Sequence, residues 1–171
     1  LDLAAAAEAL VHGADFQPET ESPLPRPTVG PVGLAAGERL LRTGGPVIAL
    51  NVGATNSRAK CWPARYYAEV ANQLSSSVGA TIALIGGPGE IDAANAVASL
   101  TSAPRLINLA GNTTLPELLG VLSHCALVIS NDTGPAHIAA ALGRPTLTLF
   151  GPTNEFETAP TGPRAALLRA D

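Results

Sequence analysis

Two polar segments of this 171-residue chain carry side chains suited to holding an anion. The first reads Ser130-Asn131-Asp132-Thr133-Gly134-Pro135-Ala136-His137. It follows an apolar run and precedes a helical stretch, so its glycine and hydroxyl fall at a helix start. Backbone N–H groups and the helix dipole favour an anion there. Gly134 lets a phosphate approach the backbone closely, and Thr133 adds a hydroxyl. Pro135 suits the first turn, where its missing N–H costs nothing. A carboxylate repels phosphate, so Asp132 fits sugar hydroxyls better. His137, four residues beyond Thr133, shares its side of the helix and can face the same ligand. The same residues also read as a plain helix cap, with Asp132 or Thr133 capping and His137 structural.

The second segment runs from Asn51 to Pro63 and includes Thr55, Asn56 and Lys60, the only lysine in the chain. It exceeds the usual βα loop of about 2–6 residues. An ammonium beside a helix N-terminus suits a diphosphate; a solvated lysine is the plain alternative. Two shorter loops complete the set. Gly86-Gly87-Pro88-Gly89-Glu90 offers a carboxylate that can hold a ribose diol or simply complement a helix dipole. Asn108 to Thr113 offers a place for a nucleobase.

Composition excludes several other classes. Apolar residues make up 46% and charged residues 14%, against what a disordered chain needs. Ten basic residues against fourteen acidic ones give a net charge of −4, with no nucleic-acid footprint. Aromatics at 4% and the absence of methionine argue against a base-stacking platform. Cys61 and Cys125 lie far apart with no metal-ligand spacing, so both read as reduced thiols and no metal site is expected. No apolar run reaches the ~18 residues of a membrane span. The opening Leu1-Asp2-Leu3 lacks a basic n-region, so no signal peptide is expected. There is no HExxH, nucleophile–histidine–acid order or close carboxylate pair. The chain offers binding groups without a general base.

The elements that must position these groups follow from periodicity. Apolar runs at 47–50, 81–85, 106–109, 126–129 and 146–150 alternate with helical stretches at 64–77, 90–100, 115–123 and 135–142. Thr114-x-x-Glu117 marks a capping box, and Gly143 closes the last helix. Strands apolar on successive positions are buried on both faces, hence a parallel sheet between helices. The alternation gives an α/β, Rossmann-like, doubly wound fold with strand order 3-2-1-4-5. Ligands then bind beyond the carboxyl ends of strands 1 and 4, where both polar segments fall. Upstream, residues 1–12 suggest a short helix. Five of the fifteen prolines fall within 17–33, an extended linker. Residues 34–43 suggest a short amphipathic helix. Residues 1–45 therefore read as a linker and 46–171 as the binding domain.

Residues 130–145 together with Leu149-Phe150-Gly151-Pro152-Thr153 resemble the signature of the ADP-heptose:lipopolysaccharide heptosyltransferases, glycosyltransferase family 9. Gly53-Ala54-Thr55, Lys60-Cys61-Trp62-Pro63 and Tyr67-Ala68-Glu69 resemble that family's earlier segment, and residues 108–117 its middle one. The resemblance implies the C-terminal, donor-binding half of a GT-B fold, with residues 1–45 joining it to an N-terminal half. It implies that Thr55, Asn56 and Lys60 contact the diphosphate-sugar, Glu90 the ribose, and the Thr113 loop the adenine. Thr133 and Gly134 would hold phosphate and Asp132 the sugar, with His137 nearby. The implied reaction transfers a sugar, heptose from ADP-heptose, to a lipopolysaccharide-type or other glycan acceptor, glycan or lipid-linked. It uses no cofactor or metal. Lys60 would stabilise the leaving diphosphate, and the family's catalytic aspartate lies in the other half, so this chain holds no catalytic residue. A cytoplasmic location, peripheral at the inner membrane face, is the matching expectation. The alternatives are a non-catalytic nucleotide-sugar binding module and a related GT-B nucleotide-sugar epimerase.

Overall fold

The computed structural model describes residues 3–11, 27–41, 44–54, 61–151 and 153–169. Helices α1 (Leu3–Val11) and α2 (Pro31–Leu40) precede an alternating series: β1 (Val47–Asn51), α3 (Ala64–Ser77), β2 (Thr81–Ile85), a 3-10 turn (Pro88–Glu90), α4 (Ile91–Leu100), β3 (Leu106–Asn108), α5 (Leu115–His124), β4 (Leu127–Asn131), α6 (Gly134–Ala141), β5 (Thr146–Phe150), α7 (Glu155–Thr158) and β6 (Ala165–Arg169). The strands form one sheet in the order β3-β2-β1-β4-β5-β6. All pairs are parallel, with Ile48 opposite both Ile82 and Leu127.

The expected doubly wound sheet is present, with one strand more than expected. Ala165–Arg169 adds a sixth strand beside β5. Its Ala-Ala-Leu-Leu-Arg sequence lacks β-branched residues, and its edge position leaves Leu167 half exposed, so neither composition nor apolar pattern marks it as a strand. The four-residue α7 also escapes periodicity.

Successive strand residues point to opposite faces. Ile48, Leu50, Ile82, Leu84, Leu127 and Ile129 pack with Tyr67, Leu74 and Val97 of α3 and α4. Val47, Ala49, Ala83, Ile85 and Val128 pack on the other face with Val121, Leu122 and Ala139 of α5 and α6. Both faces are apolar, which is why the strands read as continuous runs.

The segment before β1 joins this body. Ala7 of α1 is fully buried in the first cluster, and Leu41 joins the second. Helix α2 begins at Pro31, three residues before the amphipathic stretch, because proline is at home in a first turn. It lies on α5 at unusually close range. A Cβ on Gly120 would fall 1.7 Å from the Gly33 carbonyl oxygen, and one on Gly37 would fall 2.6 Å from the Gly120 carbonyl oxygen. Arg39 also pairs with Glu117 across this contact at 3.3 Å. Residues 31–33, read as the end of the extended stretch, are thus the first turn of a packed helix, while 27–30 form no regular element.

Helix ends follow local chemistry. The Thr114 N–H donates to Glu117 Oε2 at 2.9 Å, as the capping-box spacing predicts. That bond, the Thr114 hydroxyl and Arg39 hold the Glu117 carboxyl below its usual range. Gly143, with φ of 72°, ends α6 by donating its N–H to Ala140.

Candidate functional site

Strand order reverses between β1 and β4, and the two strands end on adjacent asparagines. Asn51 and Ser130 are register partners, so Asn131 lies one position beyond. Ser130 and Asn131, expected in the loop, are the last residues of β4 and are fully buried. Asn51 ends β1, also fully buried. Polar residues at strand ends look like loop in a sequence. Here they are the floor of the crevice.

Asn131 faces the α3 side. The Trp62 backbone N–H, an obligate donor, lies 3.3 Å from its Oδ1, which fixes the amide orientation. The Tyr67 hydroxyl then donates to the same oxygen at 2.9 Å, and Asn131 Nδ2 donates to the Gly53 carbonyl at 3.1 Å. One amide thus ties down the chain at Gly53 and again at Trp62. Tyr67 is fully buried, and burial raises its hydroxyl pKa far above the ordinary value. It remains a proton donor at any working pH. Trp62 covers it edge-on at 5.2 Å.

Asn51 faces the α6 side. Its Nδ2 donates to Thr133 Oγ1 at 2.7 Å and to Ser130 Oγ at 3.1 Å. Thr133 is the N-cap residue of α6 in extended conformation, yet its side chain caps nothing. The plain-cap alternative therefore does not describe Thr133. Gly134 opens the helix, exposed, and an added Cβ would meet no described atom within 4 Å. The start of α6 thus lacks a Thr133 side-chain cap and is sterically open at Gly134.

The remaining expected residues are placed as follows. Glu90, at the end of the 3-10 turn, is buried, and its Oε2 accepts the Gly87 N–H at 2.6 Å. Its side chain presses on the β1 loop so tightly that a Cβ on Gly53 would fall 2.5 Å from Glu90 Cγ. Asp132 is buried, with its Oδ2 3.2 Å from the Thr158 hydroxyl of α7. Thr113 is half-buried in the loop after β3. That loop abuts the β2 loop through Gly111, whose N–H donates to Gly86 and whose φ of 73° favours glycine. His137 is exposed one turn into α6. Thr55, Asn56 and Lys60 lie outside the described residues.

A cleft of about 900 Å3 is walled by Val52, Gly53, Trp62, Tyr67, Glu90 and Val97, among others. Thr113 and residues 132–137 stand outside its walls, so the expected residues do not line one cavity. Two of them, Glu90 and Thr133, approach the end of β1: Gly53 touches Glu90, and Asn51 touches Thr133 two residues earlier. At about 3.3 Å per extended residue, those anchor points are less than ~7 Å apart along the chain. The positioning side chains Asn51, Tyr67 and Asn131 were not among the expected site residues; the signal for the two asparagines was a polar residue directly after an apolar run, and Tyr67 read only as one apolar-side position of its helix.

A parallel doubly wound sheet with an open helix N-terminus at its switch point defines a ligand-binding α/β domain. Residues 16–171 match the family model "Glycosyltransferase family 9 (heptosyltransferase)", and the chain belongs to that family. It is 35% identical over 127 residues to lipooligosaccharide heptosyltransferase 2 of Haemophilus influenzae, covering 72% of this chain and 36% of that protein. The structure is similar to that of Escherichia coli ADP-heptose lps heptosyltransferase II, with a TM-score of 0.76 at 30% identity, over 86% of this chain and 48% of the other. It is also similar to E. coli heptosyltransferase WaaC with ADP, with a TM-score of 0.66 at 28% identity, over 79% and 42%. The chain thus spans about a third of the length of the curated relatives it matches.

Proposed function

We propose that this chain is the nucleotide-sugar binding unit of a glycosyltransferase, with heptose from ADP-heptose as the transferred group and a lipopolysaccharide-type glycan as acceptor. The observation that carries the reading is the α6 start: Gly134 is exposed with room for a Cβ, and the Thr133 side chain makes no cap bond. Residues 46–171 form the donor-binding unit, and 1–45 derive from the segment joining it to a second, acceptor-side unit. The ADP diphosphate sits on the Thr133-Gly134 helix start, with Lys60 as its cationic partner and Thr55 and Asn56 beside the sugar. Glu90 holds the ribose, the Thr113 loop the adenine, and Asp132 the sugar hydroxyls, with His137 at the rim.

In transfer, an acceptor hydroxyl attacks the anomeric carbon, its C–O bond to phosphate breaks, and ADP leaves. The acceptor's proton passes to a base outside this chain's binding groups. Lys60 and the helix start stabilise the charge growing on the leaving diphosphate, an electrostatic contribution that needs no bound metal. Among the described residues, no helix is long and apolar enough to cross a membrane; work at the inner face of a membrane would be peripheral.

Calorimetric titration of ADP, UDP and their sugars against the chain and its Lys60→Ala variant tests the reading, with EDTA present throughout. ADP is expected to bind more tightly than UDP, and the variant more weakly than the parent. Equal binding by both proteins removes Lys60 from the site, and no nucleotide binding at all overturns the reading.

A further inference from the structure

Beneath the α6 start lies a network of two hydroxyls and one buried amide. Ser130 Oγ is 2.7 Å from the Asn131 carbonyl oxygen, an acceptor only, so the Ser130 proton is committed there. Ser130 Oγ must then accept, and the nearer of its two possible donors is Asn51 Nδ2 at 3.1 Å, the Thr133 hydroxyl lying at 3.3 Å. This fixes the Asn51 amide with its NH2 toward both hydroxyls. The same NH2 donates to Thr133 Oγ1 at 2.7 Å, the shortest bond of the set. The Thr133 proton is left with two long partners: the Asn131 carbonyl at 3.3 Å, already serving Ser130, and Ser130 Oγ at 3.3 Å. Asn51 itself is fully buried, and its Oδ1 has no hydrogen-bond partner among the described residues. An amide held at that cost is not there for stability alone.

We infer that Asn51 is a positioning residue that makes the Thr133 hydroxyl a dedicated donor to the ligand diphosphate. Asn51 fills the inward side of Thr133 Oγ1, so the hydroxyl proton turns outward, beside the Gly134 N–H. A hydroxyl with both roles open would lose part of its time to inward donation, and a lone pair facing a phosphate oxygen repels it. The inference rests on the nucleotide reading above and goes beyond it by assigning the selectivity for the charged part of the ligand to a residue that does not touch it.

The test compares ADP and adenosine affinities, with melting temperature as fold control, for the parent chain, Thr133→Val, Asn51→Leu, Asn51→Asp and the pairs N51L/T133V and N51D/T133V. Thr133→Val is expected to weaken ADP about tenfold, the size of one charge-assisted hydrogen bond. Asn51→Leu should weaken it about threefold or more by freeing the hydroxyl, and Asn51→Asp more still by drawing its proton inward. The N51L/T133V pair should bind ADP no more weakly than Thr133→Val alone, because the effect runs through that hydroxyl, whereas the added carboxylate of N51D/T133V repels the diphosphate directly and should weaken ADP further. Adenosine affinity should stay within about twofold throughout, which a merely structural role for Asn51 would not allow. The inference is overturned if Asn51→Leu binds ADP like the parent, if its loss multiplies with that of Thr133→Val in N51L/T133V, or if adenosine weakens in parallel. Should Asn51→Leu unfold, Asn51→Ala, which adds no charge, is measured in its place, alone and paired with Thr133→Val. A parent chain that binds neither ADP nor adenosine sinks the functional reading itself.

Discussion

Replacing Gly134 by alanine separates what the α6 start does for the fold from what it does for a ligand. The added methyl group meets no described atom within 4 Å, so it creates no clash. Alanine loses less backbone entropy than glycine on folding, a gain of about 0.4–1 kcal/mol. Against this, the next residue is Pro135, whose ring disfavours helical conformation in a preceding residue that has a Cβ. The two effects are of similar size, so stability should stay within about 1 kcal/mol, or ~2–4 °C in melting temperature for a chain of this length. The ligand has no such compensation. The methyl group would stand where a phosphate approaches the first N–H groups, and losing one charge-assisted bond there costs about 1.5–3 kcal/mol. ADP affinity should fall roughly 10- to 100-fold. Differential scanning fluorimetry and calorimetric titration on the same sample read both effects. An unchanged melting temperature with unchanged ADP affinity would refute the placement of the diphosphate on α6.

Four further outcomes are expected. Gly53→Ala would place a Cβ 2.5 Å from Glu90 Cγ, so it should destabilise the fold by about 1–3 kcal/mol in urea titration and weaken ADP by displacing Glu90 from the cleft. Gly120→Ala puts a methyl group 1.7 Å from the Gly33 carbonyl and should lever α2 away from α5; increased protease cleavage within 27–41, with ADP binding retained, is the expected signature, and intact resistance would contradict the packing. Cys125 is buried and its thiol pushed up to about 12, so alkylation of the folded protein at pH 8 should modify Cys61 alone. Because the folded thiol holds its proton more tightly than the unfolded one, the Cys125 contribution to stability is present below about pH 8.5 and lost as pH rises toward 12. Denaturation midpoints between pH 8 and 11 should therefore fall less steeply for Cys125→Ala than for the parent.

The sheet was legible because its chemistry is local. Val47-Ile48-Ala49-Leu50 and Ala126-Leu127-Val128-Ile129 are too apolar to be anything but buried, and parallel connection rules then leave few strand orders. β6 was not legible, since Ala-Ala-Leu-Leu-Arg gains its strand identity only from the free edge of β5. Similarly, nothing in one sequence says that Gly33 and Gly37 meet Gly120, because close helix approach depends on which faces tertiary packing brings together. The loops that follow each strand could be singled out by their polarity, and Thr133, Gly134 and Glu90 stand where that reading put them, at carboxyl ends of strands. The buried layer beneath them could not. Asn51, Ser130 and Asn131 differ from loop residues only in being fully enclosed, and enclosure is a property of the folded chain.

The attachment of Asn131 to both Gly53 and Trp62 bears on how such a protein can diversify. When a single side chain clasps the entry and exit of a loop, the intervening residues can be exchanged without disturbing the sheet. In this chain Gly53 and Trp62 are both held to the end of β4 through Asn131, whichever residues stand between them.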